Sequence, residues 1–348
     1  MREIRSHTSL RGIAALLVVL YHYKSNLNFE QDLDALTGFF ESADHFVDFF
    51  FLLSGFVIAH VYLRRTSTRG WGAAFYRSRL ARIYPLHLVT FLFMFAIFLY
   101  RNGSVDEAIA WTAARNVTLI HAWGFQDQFF FNFPSWSISG EFAAYLSFPL
   151  IAAIVLRIRH SHILFACLAL ISLFVEQTYS RSISWERLGL LRAVPLFALG
   201  VALYPHRDKF LGSRGHSASI VQVVSAAGIV LAMHFALELI VLLPFFCLLI
   251  ISTHSDRGLV CRLVDTPVLY GLGLISYTIY LMHIPIRTAA YYIWPKIETL
   301  FPSSIVDTAF VLMCLAATLG ASILVYRFFE MPMRALLRSY PRNVQSPS

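Results

Sequence analysis

Along the chain, apolar runs about as long as a bilayer is thick alternate with short, mostly basic connections. A hydrocarbon core of about 30 Å takes about 20 residues of helix. Ten stretches approach that length, with several interrupted by polar residues: 8–26, 46–63, 83–101, 136–156, 162–179, 190–205, 217–235, 236–253, 268–289 and 305–328. The pattern predicts an all-α polytopic membrane protein, with about ten transmembrane helices around a polar cavity. The interrupting polar residues carry most of the information. An ionisable side chain in a membrane helix costs a few kcal/mol, so it must face a protein interior.

The first stretch sets the problem. Arg11 and His22 lie in one helix, and eleven positions bring His22 to within about 20° of the azimuth of Arg11 and about 16 Å further along the axis. Both therefore sit on one face. In the second stretch, Asp48 lies near the start and Ser54-Gly55 in the middle. Small residues there favour close helix packing. Asp48 either complements the helix N-terminus or orients His22. Before the third stretch, Arg79 and Arg82 share a helix face and read as topogenic cations or as a phosphate-binding mouth. Ser137 and Glu141 follow at i and i+4, and a carboxylate at that depth implies chemistry, substrate orientation or an arginine partner. In 271–285, Gly273, Ser276, Tyr280 and His283 form a polar stripe on one helix face, lining a cavity or bonding helix to helix. Arg327 and Glu330 read as a local ion pair that ends the last helix before Pro332.

Composition supports the membrane reading. Hydrophobic residues make up 57% of the 348, and charged residues only 14%, well under the quarter or so of a soluble domain. A net charge of +8 could suggest nucleic acid. The arginines, however, fall in short blocks between apolar spans rather than along one face with interleaved aromatics. Most of the 28 Lys and Arg residues lie on one side of an alternating topology, opposite the acidic 30–44 segment. The positive-inside rule then makes both termini cytoplasmic. Arg2 and Arg5 precede an apolar core with no small-residue cleavage site, as in a retained signal anchor. Cys167, Cys247, Cys261 and Cys314 show neither disulfide nor metal-site spacing and read as reduced packing residues. The 102–134 stretch, rich in aromatics, is a lid, an acceptor groove or an interfacial belt. Residues 1–340 form one membrane domain, and 341–348 a disordered tail.

Taken in order, these pieces resemble the membrane-bound acyltransferase family 3. The resemblance rests on Arg11 and His22 with ten residues between them, Phe50-Phe51-Leu52-Leu53-Ser54-Gly55-Phe56, and Arg79-x-x-Arg82-x-x-Pro85. It continues through Ser135-Trp136-Ser137 leading to Glu141, Gly273-x-x-Ser276-Tyr277 leading to His283, and Glu330-x-Pro332. Many relatives carry two consecutive acids where this chain has Gly140-Glu141-Phe142, which leaves Glu141 to inherit their role. Some relatives carry a fused esterase-like domain, and this chain ends without one.

The resemblance implies a bacterial inner-membrane O-acyltransferase. It implies no permanently bound cofactor and no metal, with acetyl-CoA as donor and a glycan or lipid-linked sugar outside the membrane as acceptor. Arg11, Arg79 and Arg82 would then hold the donor. His22 would be the general base, since an imidazole pKa near 6.5 suits it, unless a transient acyl-histidine forms. Glu141 and Asp48 would complete the catalytic group, and Trp136, Ser137, Ser276, Tyr280 and His283 would line the cavity. Two alternatives also fit the composition: an exporter of glycan or lipid, and an acyltransferase acting on a small hydrophobic metabolite.

Overall fold

A computed structural model describes residues 3–125, 131–179, 188–208, 215–302 and 305–339, and these contain helices and turns but no strand. The helices are α1 (Arg5–Lys24), α2 (Glu30–Leu36), α3 (Phe46–Tyr62), α4 (Trp71–Asn102), α5 (Glu107–Val117), α6 (Trp136–Arg157) and α7 (Ser161–Tyr179). They continue with α8 (Gly189–Leu203), α9 (Gly215–His234), α10 (Leu239–Thr253), α11 (Leu259–Val264), α12 (Pro267–Ile293), α13 (Val306–Val325) and α14 (Met331–Ser339). All ten anticipated spans are helical. Eight are long and apolar enough to cross a membrane. The other two are α10, which has only 15 residues, and α1, whose first turns carry Arg5, Ser6, His7, Thr8, Ser9 and Arg11.

Two layers follow from burial. In the spans built on α3, α6, α8 and α12, 56–67% of the apolar window is buried, against 22–33% for α4, α7, α9 and α13. Exposed Leu92, Ile171, Leu231 and Leu312 give the second set its lipid-facing surface. Asp48, Ser54, Glu141, Arg192, Ser276, Tyr280 and His283 lie on the inner set, and Arg79, Arg82 and buried His87 lie on α4, where turning toward protein avoids the cost of placing them in hydrocarbon.

Glycine sets the closest helix crossings. A Cβ on Gly273 would lie 1.9 Å from the Thr8 carbonyl oxygen, and one on Gly12 would lie 2.5 Å from the Gly273 nitrogen. This brings α1 and α12 together along parallel courses. Gly55 and Gly200 do the same for α3 and α8, each with 2.0 Å to a backbone oxygen of the other helix. The packing role read for Gly55 is thus what the structure has.

Three local readings change. The helix that Arg79 and Arg82 were expected to share starts at Trp71, about three turns before the apolar run at 83, and takes in Arg77 as well. At the other end, the last long helix does not stop before Pro332 but passes through a π-turn over Tyr326–Glu330 into α14. Glu330 pairs with Arg334 and accepts from the Thr278 hydroxyl, whereas Arg327 lies over the Phe328 ring. One turn of helix carries Glu330 toward Arg334, so the expected Arg327 pair does not form. The four cysteines are free thiols.

The segment between α4 and α6 is stitched to the bundle. Ser139 Oγ donates to the Leu119 carbonyl and accepts from the Ala122 amide, and Asn132 donates to the Leu281 carbonyl. Leu119, Ala122 and Phe131 are buried, whereas Trp111 and Phe125 are exposed. The anticipated aromatic stretch Phe129–Phe131 is described only at Phe131. The acidic 30–44 segment closes on Lys24, whose ammonium meets Glu41 at 2.5 Å, Asp34 at 2.6 Å and Glu30 at 3.5 Å.

Candidate functional site

The α1–α12 crossing mates the two polar stripes in register. At one end, Arg11 Nε donates to Ser276 Oγ at 3.1 Å, and its Nη2 to the Gly273 carbonyl at 3.3 Å. At the other end, the His22 and His283 rings lie 5.0 Å apart. Arg11 and His22 are eleven residues apart on α1, about 16 Å, and Gly273 and His283 ten apart on the parallel α12, about 15 Å, so the two ends match. The His22 Nδ1 lies 2.9 Å from the Val18 carbonyl. A carbonyl only accepts, so Nδ1 carries the proton and Nε2 keeps its lone pair. His283, fully buried, is fixed the same way, with Nδ1 2.5 Å from the Tyr280 carbonyl. Arg287 donates to the His22 carbonyl and braces the end of α1.

Two cavities lie along this pair of helices. The first, about 100 Å³, is lined by Arg11, Arg79, Arg82, Ser54, Glu141 and Ser276, among others. Three guanidinium groups from α1 and α4 face one carboxylate there. Glu141 accepts from Ser54 Oγ at 3.1 Å and from the Tyr145 hydroxyl. Arg79 stacks over Tyr62 and Tyr145. The second cavity, about 150 Å³, is lined by Tyr21, His22, Asp44, Phe133, Trp136 and Arg192, among others. Val47 and Tyr280 line both.

The predicted residues thus divide between the cavities in a way their spacing did not show. Arg11, Arg79 and Arg82 converge as expected. Glu141 joins them instead of approaching His22, because its position on α6 faces the middle of α3, where Ser54 meets it. Ser54 is therefore a partner of the site and not packing alone. Asp48 does not orient His22 either. Both of its oxygens lie 2.5 Å from Arg192, at Nε and Nη2, and the pair is buried. Glu176 takes the Nη1 of Arg192 at 3.0 Å. Ser137 donates to the Tyr280 hydroxyl at 2.8 Å, and the Arg192 guanidinium lies 5.9 Å from the Trp136 ring centre.

Sequence reasoning did not single out Arg192. A lone arginine inside the apolar run 189–203 is itself a signal that a buried carboxylate awaits it. The His22–His283 pairing was also missed, since each stripe was read on its own helix. Among the described residues, no three His, Cys, Asp or Glu side chains converge as metal ligands.

The sequence matches a family model described as an acyltransferase domain, acyltransferase family 3, over residues 7–327. Among curated proteins, the chain is 37% identical over 162 residues to an acyltransferase, MdmB, of Streptomyces mycarofaciens, covering 45% of this chain and 41% of that protein. It is 35% identical over 94 residues to protein 2 in the picA locus of Rhizobium radiobacter, covering 26% of this chain and 43% of the relative. The chain thus aligns with less than half the length of either relative. No solved structure matches it significantly. Matched along nearly its whole length, through the helices that carry Arg11, His22, Glu141 and His283, the chain belongs to acyltransferase family 3.

Proposed function

We propose that the protein is a bacterial inner-membrane O-acyltransferase that moves an acyl group, acetyl above all, from cytosolic acyl-CoA to a hydroxyl of an extracytoplasmic glycan. One observation carries this reading: a cavity bearing three arginines and a cavity bearing His22 adjoin along one helix pair and share Val47 and Tyr280 as their common wall. A CoA nucleotide is too highly charged to cross the bilayer, so its phosphates dock at Arg11, Arg79 and Arg82 while the uncharged pantetheine arm reaches inward. Guanidinium forks suit phosphate better than any other side chain.

At the other end, Nε2 of His22 faces an acceptor arriving from outside. The acceptor hydroxyl gives its proton to Nε2 as its oxygen bonds to the thioester carbonyl carbon. The carbon–sulfur bond then breaks, the electron pair leaves on sulfur, and the imidazolium returns the proton to that thiolate. Arg192, held by Asp48 and Glu176, fixes the wall around the acceptor. Glu141 lowers the net positive charge of the donor cavity and, through Ser54 and Tyr145, ties α6 to α3. The first two turns of α1 and the arginine-bearing part of α4 face the cytoplasm, and both termini lie there.

The test is transfer by the purified protein in proteoliposomes supplied with labelled acetyl-CoA and an acceptor glycan. Appearance of ester-linked label on the glycan supports the proposal. A protein that neither binds nor consumes acetyl-CoA is not this enzyme, and an exporter would behave that way.

A further inference from the structure

The wall between the two cavities is built, not incidental. Tyr280 is 5% exposed and is pinned at its far end. Its hydroxyl donates to the Pro134 carbonyl at 3.0 Å and accepts from Ser137 Oγ at 2.8 Å. The ring meets Phe50 edge-on at 6.1 Å between centroids. Val47 from α3 faces both cavities alongside it. Pro134 and Trp136 line the His22 side and Ser137 the arginine side, so the hydrogen-bonded knot straddles the wall. A side chain held at both its hydroxyl and its ring keeps a defined shape beside the junction of the two cavities.

The wall stands beside the chemistry. The Tyr280 and His283 rings are 5.9 Å apart, and His283 lies 5.0 Å from His22. In the reaction proposed above, on which this inference rests, the thioester carbonyl must sit at the junction, within reach of His22. The acyl tail beyond that carbon then runs against Tyr280 and Val47. We infer that these two side chains set the length of the transferred acyl group, confining the donor to the shortest acyl-CoAs. The chemistry is steric: each further methylene must displace a pinned ring or a close-packed valine.

The experiment measures kcat/KM for acetyl-, propionyl-, butyryl- and hexanoyl-CoA with one acceptor, for the wild type, Tyr280→Ala, Tyr280→Phe and Val47→Ala in proteoliposomes. A pocket that rejects one methylene discriminates by about tenfold or more. The butyryl-to-acetyl ratio is therefore expected to rise by at least about tenfold in Val47→Ala and Tyr280→Ala. In Tyr280→Phe, which keeps the ring but loses the two hydrogen bonds that pin it, the ratio should rise by less than in Tyr280→Ala. Val47→Ala removes only two methyl carbons, and it decides the matter if Tyr280→Ala fails to fold. Acetyl transfer with an unchanged ratio in Val47→Ala overturns the inference and leaves the acyltransferase reading intact. Absence of transfer from every thioester by the wild type overturns that reading and this inference with it.

Discussion

The pair between Asp48 and Arg192 gives the sharpest prediction about what holds the bundle together around the His22 cavity. Asp48 is 1% exposed and Arg192 5%, and both carboxylate oxygens meet the guanidinium at 2.5 Å. At the effective dielectric of a protein site, such a contact is worth about 4 kcal/mol before desolvation. Removing one partner of a buried pair typically costs about 3–5 kcal/mol, because the other charge stays buried. In Asp48→Asn, Glu176 still holds the guanidinium at 3.0 Å, so the loss falls at about 3 kcal/mol. In Arg192→Leu, Asp48 loses its bidentate partner and keeps beside it, among the described residues, the His45 ring at 4.0 Å, so the loss falls nearer about 5 kcal/mol. The double variant Asp48→Leu/Arg192→Leu removes both charges and replaces them with apolar volume, which is commonly neutral or stabilising. Thermal unfolding of the four proteins in one detergent, followed by tryptophan fluorescence, closes the cycle. Both single variants should unfold well below the wild type, and the double variant should return near it. Singles at the wild-type midpoint, or a double variant as unstable as the two losses summed, would refute the reasoning.

Other outcomes follow from the same geometry. Gly273→Ala places a Cβ 1.9 Å from a backbone oxygen and should destabilise by about 1–3 kcal/mol through overpacking. Gly320→Ala on α13 meets nothing within 4 Å and should be tolerated, and the same unfolding assay reads both. Arg79→Ala and Arg82→Ala each remove a cation from the donor cavity, and a charged hydrogen bond of about 1.5–3 kcal/mol corresponds to roughly a ten- to hundredfold rise in KM for acetyl-CoA. Acetyl-pantetheine, which lacks the nucleotide phosphates, should keep its KM, and an equal rise with both donors would argue against a phosphate site. Reporter fusions after Arg69 should be cytoplasmic and those after Glu107 external, and the reverse pattern would exchange the donor and acceptor sides.

What could be read from the sequence was what one helix contains. Arg11 and His22 share a face because α-helical pitch fixes azimuth from spacing, and the stripe from Gly273 to His283 follows from the same rule. Membrane thickness fixes helix length, so the spans were legible too, although α4 ran further into the basic stretch than its apolar run implied. Pairing between helices was not legible. Asp48 and Arg192 are 144 residues apart in sequence, and nothing local to either says which neighbour neutralises it. The depth of Glu141 left catalysis, substrate orientation and an arginine partner open, and the direction in which α6 faces put it in the arginine cavity. His283 pairs with His22 because Gly12 and Gly273 set the crossing of α1 and α12, a packing fact that neither stripe shows alone.

In the proposed reaction, His22, at one end of α1, carries the proton transfer for a donor held at the other end. Ester-linked acetyl on envelope glycan measures it directly in cells lacking the native protein and complemented with the wild type or His22→Ala at equal membrane levels. The account predicts restored acetylation with the wild type and none above background with His22→Ala. Equal acetylation with both would contradict it.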